Sequence, residues 1–169
     1  DSQAKFRELV KTFGAHPGLL AWYLVDEAPY SFHADIIAAN RYLNSLDPHH
    51  PTYALTDKPG DISSLLTGFD VIGVDPYPVC NPYAPSMKVG DVTTTAVDAD
   101  RETFGDVAYW NVPQAFDWGL YVAGQEPPRM PTVDELRSMC WQHIAAGANG
   151  LVFYSFFDYL KNPETFDAC

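Results

Sequence analysis

Acidic, amide and hydroxyl side chains follow each of five short apolar segments of the chain. They are Asp26 and Glu27, Asp57, Asp75 and Tyr77, Gln114 and Asp117, and finally Ser155 and Asp158. Two carboxyl groups brought together can hydrolyse a glycosidic bond, at about 5 to 5.5 Å for retention of configuration or about 6.5 to 9.5 Å for inversion. Tyr and Trp faces stack on sugar rings, so these residue types favour a neutral, polyhydroxylated ligand.

Other kinds of site are not indicated. The turn Asp-Glu-Ala-Pro-Tyr at 26–30 lacks the glycines of a nucleotide-binding turn, and its acids would repel phosphate. The three cysteines have no CxxC spacing and no paired histidine ligands, so we expect no metal and no cofactor. A GxSxG nucleophile motif is also absent from the sequence.

Composition narrows the class of protein further. The 169 residues carry 22 acidic and 10 basic side chains, a formal charge of −12, which excludes a basic nucleic-acid binder. An apolar content of 47%, with 10 Phe, 10 Tyr and 4 Trp, indicates a folded domain with a large core. No apolar run reaches the roughly 18 residues of a membrane span.

Hydrophobic periodicity predicts alternating helices and strands. Helices are expected at 2–14, 31–46, 62–66 and 92–104, and a fifth begins at the capping box formed by Thr132 and Glu135. Strands are expected at 19–25, 53–55, 70–75, 107–115 and 151–156. This order predicts an α/β fold with a parallel sheet and right-handed crossovers.

Two architectures fit that order. An open doubly wound sheet can be built from five strands, whereas a (β/α)8 TIM barrel needs eight strands and typically about 250 residues. Length favours the open sheet. The polar residues favour the barrel, because the C-terminal ends of barrel strands converge on one mouth where active sites are built.

Four segments resemble a known group of enzymes: HPGLLAWYLVDEAP, DVIGVDPYPV, VPQAFDWG and TVDELRSMCWQHIAAGANGLVFYSF. They resemble the C-terminal part, strands four to eight, of a clan A glycoside hydrolase TIM barrel. The resemblance implies that residues 1–169 form a single domain of about five βα units, and that strands one to three lie upstream. It also implies a secreted, extracellular or periplasmic protein, with upstream chain or a partner subunit covering the open sheet edges.

The same resemblance assigns roles to individual residues. It implies that Glu27 is the acid/base and that Tyr77 assists the nucleophile. The nucleophile position is occupied by Gln114, whose amide cannot form a glycosyl ester, and Asp26 replaces the usual Asn before the acid/base. Expected substrate contacts are Asp26, Tyr77, Gln114, Trp118 and Tyr154.

Three hypotheses about the chemistry remain open from the sequence. The second carboxyl is Asp75, Asp117 or Glu126; or the barrel has lost catalysis and only binds carbohydrate; or catalytic residues lie on upstream strands. Structural roles compete with each assignment. Acids at 26 and 27 also suit the N-terminus of the next helix, and Asp75 before Pro76 also suits a turn.

Overall fold

The computed structural model describes residues 2–122 and 129–159. Its strands are β1 (Trp22–Asp26), β2 (Thr52–Thr56), β3 (Val71–Val74), β4 (Ala108–Asn111) and β5 (Gly150–Leu151). Its helices are α1 (Ser2–Phe13), α2 (His33–Leu46), α3 (Ile62–Leu65), α4 (Val92–Thr103), α5 (Val133–Ala145) and α6 (Phe156–Tyr159). The capping box predicted at α5 is confirmed: the Thr132 hydroxyl accepts from the Glu135 N–H, and the Glu135 carboxylate accepts from the Thr132 N–H.

The five strands form one parallel sheet in the order β1-β2-β3-β4-β5. Each strand therefore lies beside the strand that precedes it in the chain. A doubly wound sheet would reverse its order at a switch point, and this sheet does not. The sequential order is that of consecutive βα units of a TIM barrel, so the predicted α/β barrel-type fold is confirmed.

The two faces of the sheet follow the period-2 alternation of its strands. On the helix-facing side, Ala54, Ile72 and Val74 pack with Ile62 and Leu65 of α3 in a buried cluster. On the opposite side, Tyr53, Leu55, Val71 and Val112 form a second cluster. Gly73 belongs to this inner side, where a β-carbon would lie 1.6 Å from the Trp110 carbonyl oxygen and 2.7 Å from the Tyr53 hydroxyl.

The last predicted strand was too long. Residues 151–156 were expected to be extended, but β5 ends at Leu151, and only an isolated bridge between Tyr154 and Gln114 continues the pairing. Helix α6 begins at Phe156. The Ser155 hydroxyl accepts the Asp158 N–H at 3.3 Å, as a helix-capping serine does, and this local bond competes with strand pairing.

Strands β1 and β5 are the edges of the described sheet. Large apolar side chains are exposed at both edges, among them Leu20 and Tyr23 at one edge and Phe153 at the other. The prediction that upstream chain or a partner subunit covers these edges stays a prediction. None of the helices in the described part of the chain is long and apolar enough to cross a membrane.

Candidate functional site

A cavity of about 430 Å³ opens at the C-terminal ends of the strands. Its described lining residues are acidic, aromatic or apolar: Tyr23, Asp26, Glu27, Tyr53, Leu55, Asp75, Tyr77, Val112, Phe116, Trp118, Tyr121, Val152, Phe153 and Tyr154. Six of the predicted site residues are among them: Asp26, Glu27, Asp75, Tyr77, Trp118 and Tyr154. Gln114 and Asp117 are not.

A bulge in β1 turns Asp26 toward the cavity. The register of β1 against β2 shifts between Tyr23 and Val25, and Leu24 and Val25 both pack on the helix-facing side. Strict alternation would have placed Asp26 on the side opposite to Tyr23. The bulge instead brings the two together, and the Tyr23 hydroxyl donates to Asp26 Oδ1 at 2.9 Å.

Glu27 follows β1 in a left-handed backbone conformation, with φ of 47°. This region is unfavourable for a residue other than glycine, and such strain collects at functional sites. The Glu27 N–H donates to the Leu55 carbonyl oxygen at 3.0 Å, which holds the turn against β2. The side chain lines the cavity and remains exposed.

Asp75 is the buried partner of Glu27. Its carboxyl is in hydrogen-bonding contact with the Glu27 carboxyl and with the Tyr77 hydroxyl, and the residue is only 6% exposed. Burial, followed by the contact with Glu27, raises the pKa of Asp75 well above its ordinary value. The Oδ1 atom of Asp75 is buried and has no hydrogen-bond partner among the described residues.

The tyrosines beside the acids remain protonated. Burial is the largest cause that raises the pKa of Tyr23, Tyr53 and Tyr77, and neighbouring carboxylates raise each of them further. Their hydroxyls consequently act as hydrogen-bond donors at all physiological pH values. The Tyr53 hydroxyl donates to the Trp110 carbonyl oxygen at 3.1 Å, and this bond fixes its ring below the acids.

An aromatic cluster also lines the cavity, and Phe116 is its centre. The Phe116 ring centroid lies 4.9 Å from that of Tyr77, 5.0 Å from that of Trp118, 5.2 Å from that of Tyr121 and 5.5 Å from that of Tyr154. Edge-to-face packing of this kind holds the rings rigidly. The indole Nε1 of Trp118 is buried without a hydrogen-bond partner in the described part of the chain.

Gln114 holds a loop rather than facing the cavity. It is fully buried, and its Oε1 accepts from the Val79 N–H at 2.8 Å. Its Nε2 donates to the carbonyl oxygens of Val79 at 2.9 Å and Phe116 at 3.1 Å. All three bonds go to backbone, so the side chain braces the proline-rich loop that follows β3.

Asp117 has a local structural role. Its Oδ1 accepts from the Gly119 N–H at 2.7 Å, which caps the short 3-10 turn Trp118–Leu120. Asp117 is thus outside the cavity, although the loop that it caps delivers Trp118 into it. Glu126, the third residue considered as second carboxyl, lies outside the described residues.

Sequence reasoning missed several lining residues. Tyr23, Tyr53 and Leu55 are inward-facing strand positions, so the strand alternation could have identified the last two. Tyr121 lies in an irregular loop and had no such signal. The Tyr121 hydroxyl donates to Asp158 Oδ2 at 2.6 Å, and the Ser155 hydroxyl contacts the same oxygen.

The described residues offer no group of three or more His, Cys, Asp or Glu side chains placed to hold a metal ion. Two of the cavity's carboxyl groups have tyrosine partners: Asp26 with Tyr23, and Asp75 with Tyr77.

No protein-family model and no curated protein gives a significant match to this chain. Solved structures do match. A candidate alpha-L-fucosidase from Bacteroides thetaiotaomicron is similar with a TM-score of 0.73 at 12% identity, over 96% of this chain and 57% of that one. The β-D-glucuronidase of Dictyoglomus thermophilum gives a TM-score of 0.62 at 18% identity, over 92% of this chain and 28% of that one. A β-glucuronidase of Ruminococcus gnavus gives 0.59 at 15% identity.

The chain therefore spans little more than half the length of one of these proteins and under a third of another. At such low identity the likeness is one of fold. The chain has the fold of glycoside hydrolase TIM barrels, in the form of five consecutive βα units.

Proposed function

We propose that the cavity binds a carbohydrate and hydrolyses its O-glycosyl bond, with Glu27 as acid/base and Asp75 as the second carboxyl. The observation that carries this proposal is a cavity at the C-terminal ends of the strands that is lined by Glu27, Asp75 and aromatic side chains. The fold supports the proposal because TIM-barrel sites lie at the C-terminal ends of the strands.

The pair supplies both acid and base. Glu27 is the exposed member and, as general acid, donates a proton to the leaving oxygen as the glycosidic C–O bond breaks. A water molecule adds at the anomeric carbon, and its proton returns to Glu27. Asp75 is the buried member, and burial raises the pKa of Asp75 and favours its protonated form.

The other lining residues bind the sugar. Trp118 and Tyr154 present ring faces and edges for the sugar ring. Asp26 and the Tyr77 hydroxyl provide an acceptor and a donor on the acidic side. Carbohydrate is thus the expected partner of the cavity.

A second candidate function is binding without hydrolysis. Two carboxyls in hydrogen-bonding contact are closer than the about 5 to 5.5 Å of retaining enzymes or the about 6.5 to 9.5 Å of inverting ones. Gln114, at the position of the family's nucleophile, is fully engaged with backbone groups. Both observations favour a barrel module that binds carbohydrate without hydrolysing it.

The test is a panel of 4-nitrophenyl glycosides covering the common hexoses and deoxyhexoses in both anomers, with calorimetric titration of the matching methyl glycosides. We expect hydrolysis of at least one member, and a loss of about 100-fold or more in kcat/KM for Glu27→Gln. Glu8→Gln, an exposed change on α1, is the control and should leave the rate unchanged. Binding without hydrolysis would support the second candidate, and neither binding nor hydrolysis would contradict both.

A further inference from the structure

The charged residues among the described lining of the cavity are all acidic. Asp26, Glu27 and Asp75 follow β1 and β3, and Tyr77 joins Asp75 to the aromatic cluster around Phe116. No Lys, Arg or His is among the described residues that line the cavity. Lys58 pairs with Asp57, and Arg129 pairs with Glu135.

We propose that the site accepts glycosides without an anionic group and rejects uronides, through the acidic wall formed by Asp26, Glu27 and Asp75. This inference rests on the proposed function and names its substrate class. It separates the chain from the glucuronidases among its structural neighbours, which share its fold.

Charge favours a neutral sugar over a uronide. Asp26, Glu27 and Asp75 place three carboxyl groups on this wall. A carboxylate on the ligand would enter a partly desolvated cavity that offers no cation among its described lining residues, where like charges repel strongly. A neutral sugar meets no such barrier.

Asp26 is the member of the wall outside the proposed catalytic pair, and its charge is one of the causes that raise the pKa of Asp75. The test therefore uses the ratio between the two members of each matched pair of substrates rather than the absolute rate. Asp26 Oδ1 accepts from the Tyr23 hydroxyl at 2.9 Å, and an asparagine oxygen can accept the same bond. The Asp26→Asn change therefore removes charge from the wall and keeps its shape. Asp98→Asn on α4 removes the same charge from an exposed position and is the matched control.

The experiment compares matched pairs that differ only at C6: 4-nitrophenyl β-D-glucoside with the glucuronide, and the galactoside with the galacturonide. Competition binding and kcat/KM are measured at low and at high ionic strength. We expect kcat/KM and affinity for the neutral member of the preferred pair to exceed those for the uronide at least about 10-fold at low salt. This ratio should become smaller at high salt. Asp26→Asn should lower the ratio several-fold, and Asp98→Asn should leave it unchanged.

A uronide bound or hydrolysed as well as its neutral counterpart would overturn the inference while leaving the proposed function intact. An unchanged ratio in Asp26→Asn would also overturn the role of the acidic wall. If no glycoside of either kind binds or reacts, the proposed function fails and this inference fails with it.

Discussion

The carboxyl of Glu27 contacts that of Asp75, although the two residues are separated by 48 positions in the chain and follow different strands. β1 and β3 are not neighbours, since β2 lies between them. The contact therefore depends on the inward position of Asp75 after β3 and on the left-handed turn at Glu27. Glu27 is the exposed member of this pair and Asp75 is the buried one.

Replacing Asp75 by Asn should raise stability while it removes activity. The folded pKa of Asp75 is above its ordinary value, so the folded state retains a proton that the unfolded state releases, and stability is lost as pH rises above about 4. We expect Asp75→Asn to increase the free energy of unfolding at pH 8 by about 1 to 2 kcal/mol, with the gain disappearing toward pH 4. Urea unfolding at both pH values measures this, and a destabilised variant at pH 8 would contradict the burial argument.

Tyr77→Phe should move the alkaline limb of the pH–rate profile to higher pH. The Tyr77 hydroxyl lowers the pKa of Asp75 by stabilising its ionised form, so its removal raises that pKa further. The profile of kcat/KM between pH 5 and pH 10 measures the shift. Tyr121→Phe is the control, because that hydroxyl bonds to Asp158 instead and should leave the limb in place. A limb that stays fixed in Tyr77→Phe would show that the pair does not control the rate.

Gln114→Glu should not restore a nucleophile. The new carboxylate would face the carbonyl oxygens of Val79 and Phe116, which now accept from the amide, in a fully buried position. We expect a loss of at least about 2 kcal/mol in the free energy of unfolding and no gain in hydrolysis. The same change at the half-buried Gln142 should cost less. An active and stable Gln114→Glu protein would mean that this position reaches the substrate.

His143 should make the fold sensitive to mild acid. It is fully buried on α5, its Nδ1 accepts from Asn111 Nδ2 at 2.8 Å, and burial lowers its pKa to about 4. Between pH 6.5 and pH 4 the unfolded state therefore binds a proton that the folded state does not, so stability falls as pH falls through this range.

The expected loss attributable to His143 is up to about 3 kcal/mol at pH 4 relative to pH 7. Urea unfolding at pH 7.0, 5.5 and 4.5 measures it. His143→Gln keeps an acceptor for Asn111 and should flatten this part of the pH dependence, whereas His49→Gln at an exposed position should not. Equal slopes in all three proteins would exclude His143 as the cause.

Much of the fold could be predicted from hydrophobic periodicity. The five βα units and the Thr132 capping box depend on local patterns, and the helix positions agree with the structure to within two residues. The strand predicted at 107–115 was too long, because β4 ends at Asn111. The end of the chain was less accessible, because Ser155 bonds the Asp158 N–H and starts a helix where apolar residues predicted a strand. The hydrogen bond between Ser155 and Asp158 thus favoured a helix, although the apolar residues at 151–156 predicted a strand.

Only part of the site could be predicted from the sequence. Asp75 and Glu27 could be placed at strand ends, and the strand alternation indicates the inward direction of Asp75. The direction of Asp26 depends on a bulge in β1, which the sequence does not reveal. Gln114 occupies the expected position, yet its amide is taken up by Val79 and Phe116. The partners of this amide depend on the path of the loop at Val79, which lies 35 residues earlier in the chain and could not be predicted from the residues around Gln114.

A double-mutant cycle on the best substrate tests most directly whether Glu27 and Asp75 act together in hydrolysis. It compares kcat/KM for wild type, Glu27→Gln, Asp75→Asn and the double variant. Groups that act as a unit are strongly non-additive, so we expect each single change to cost nearly as much as both together. Losses that simply multiply, or a wild-type rate in either single variant, would contradict the proposed catalytic pair.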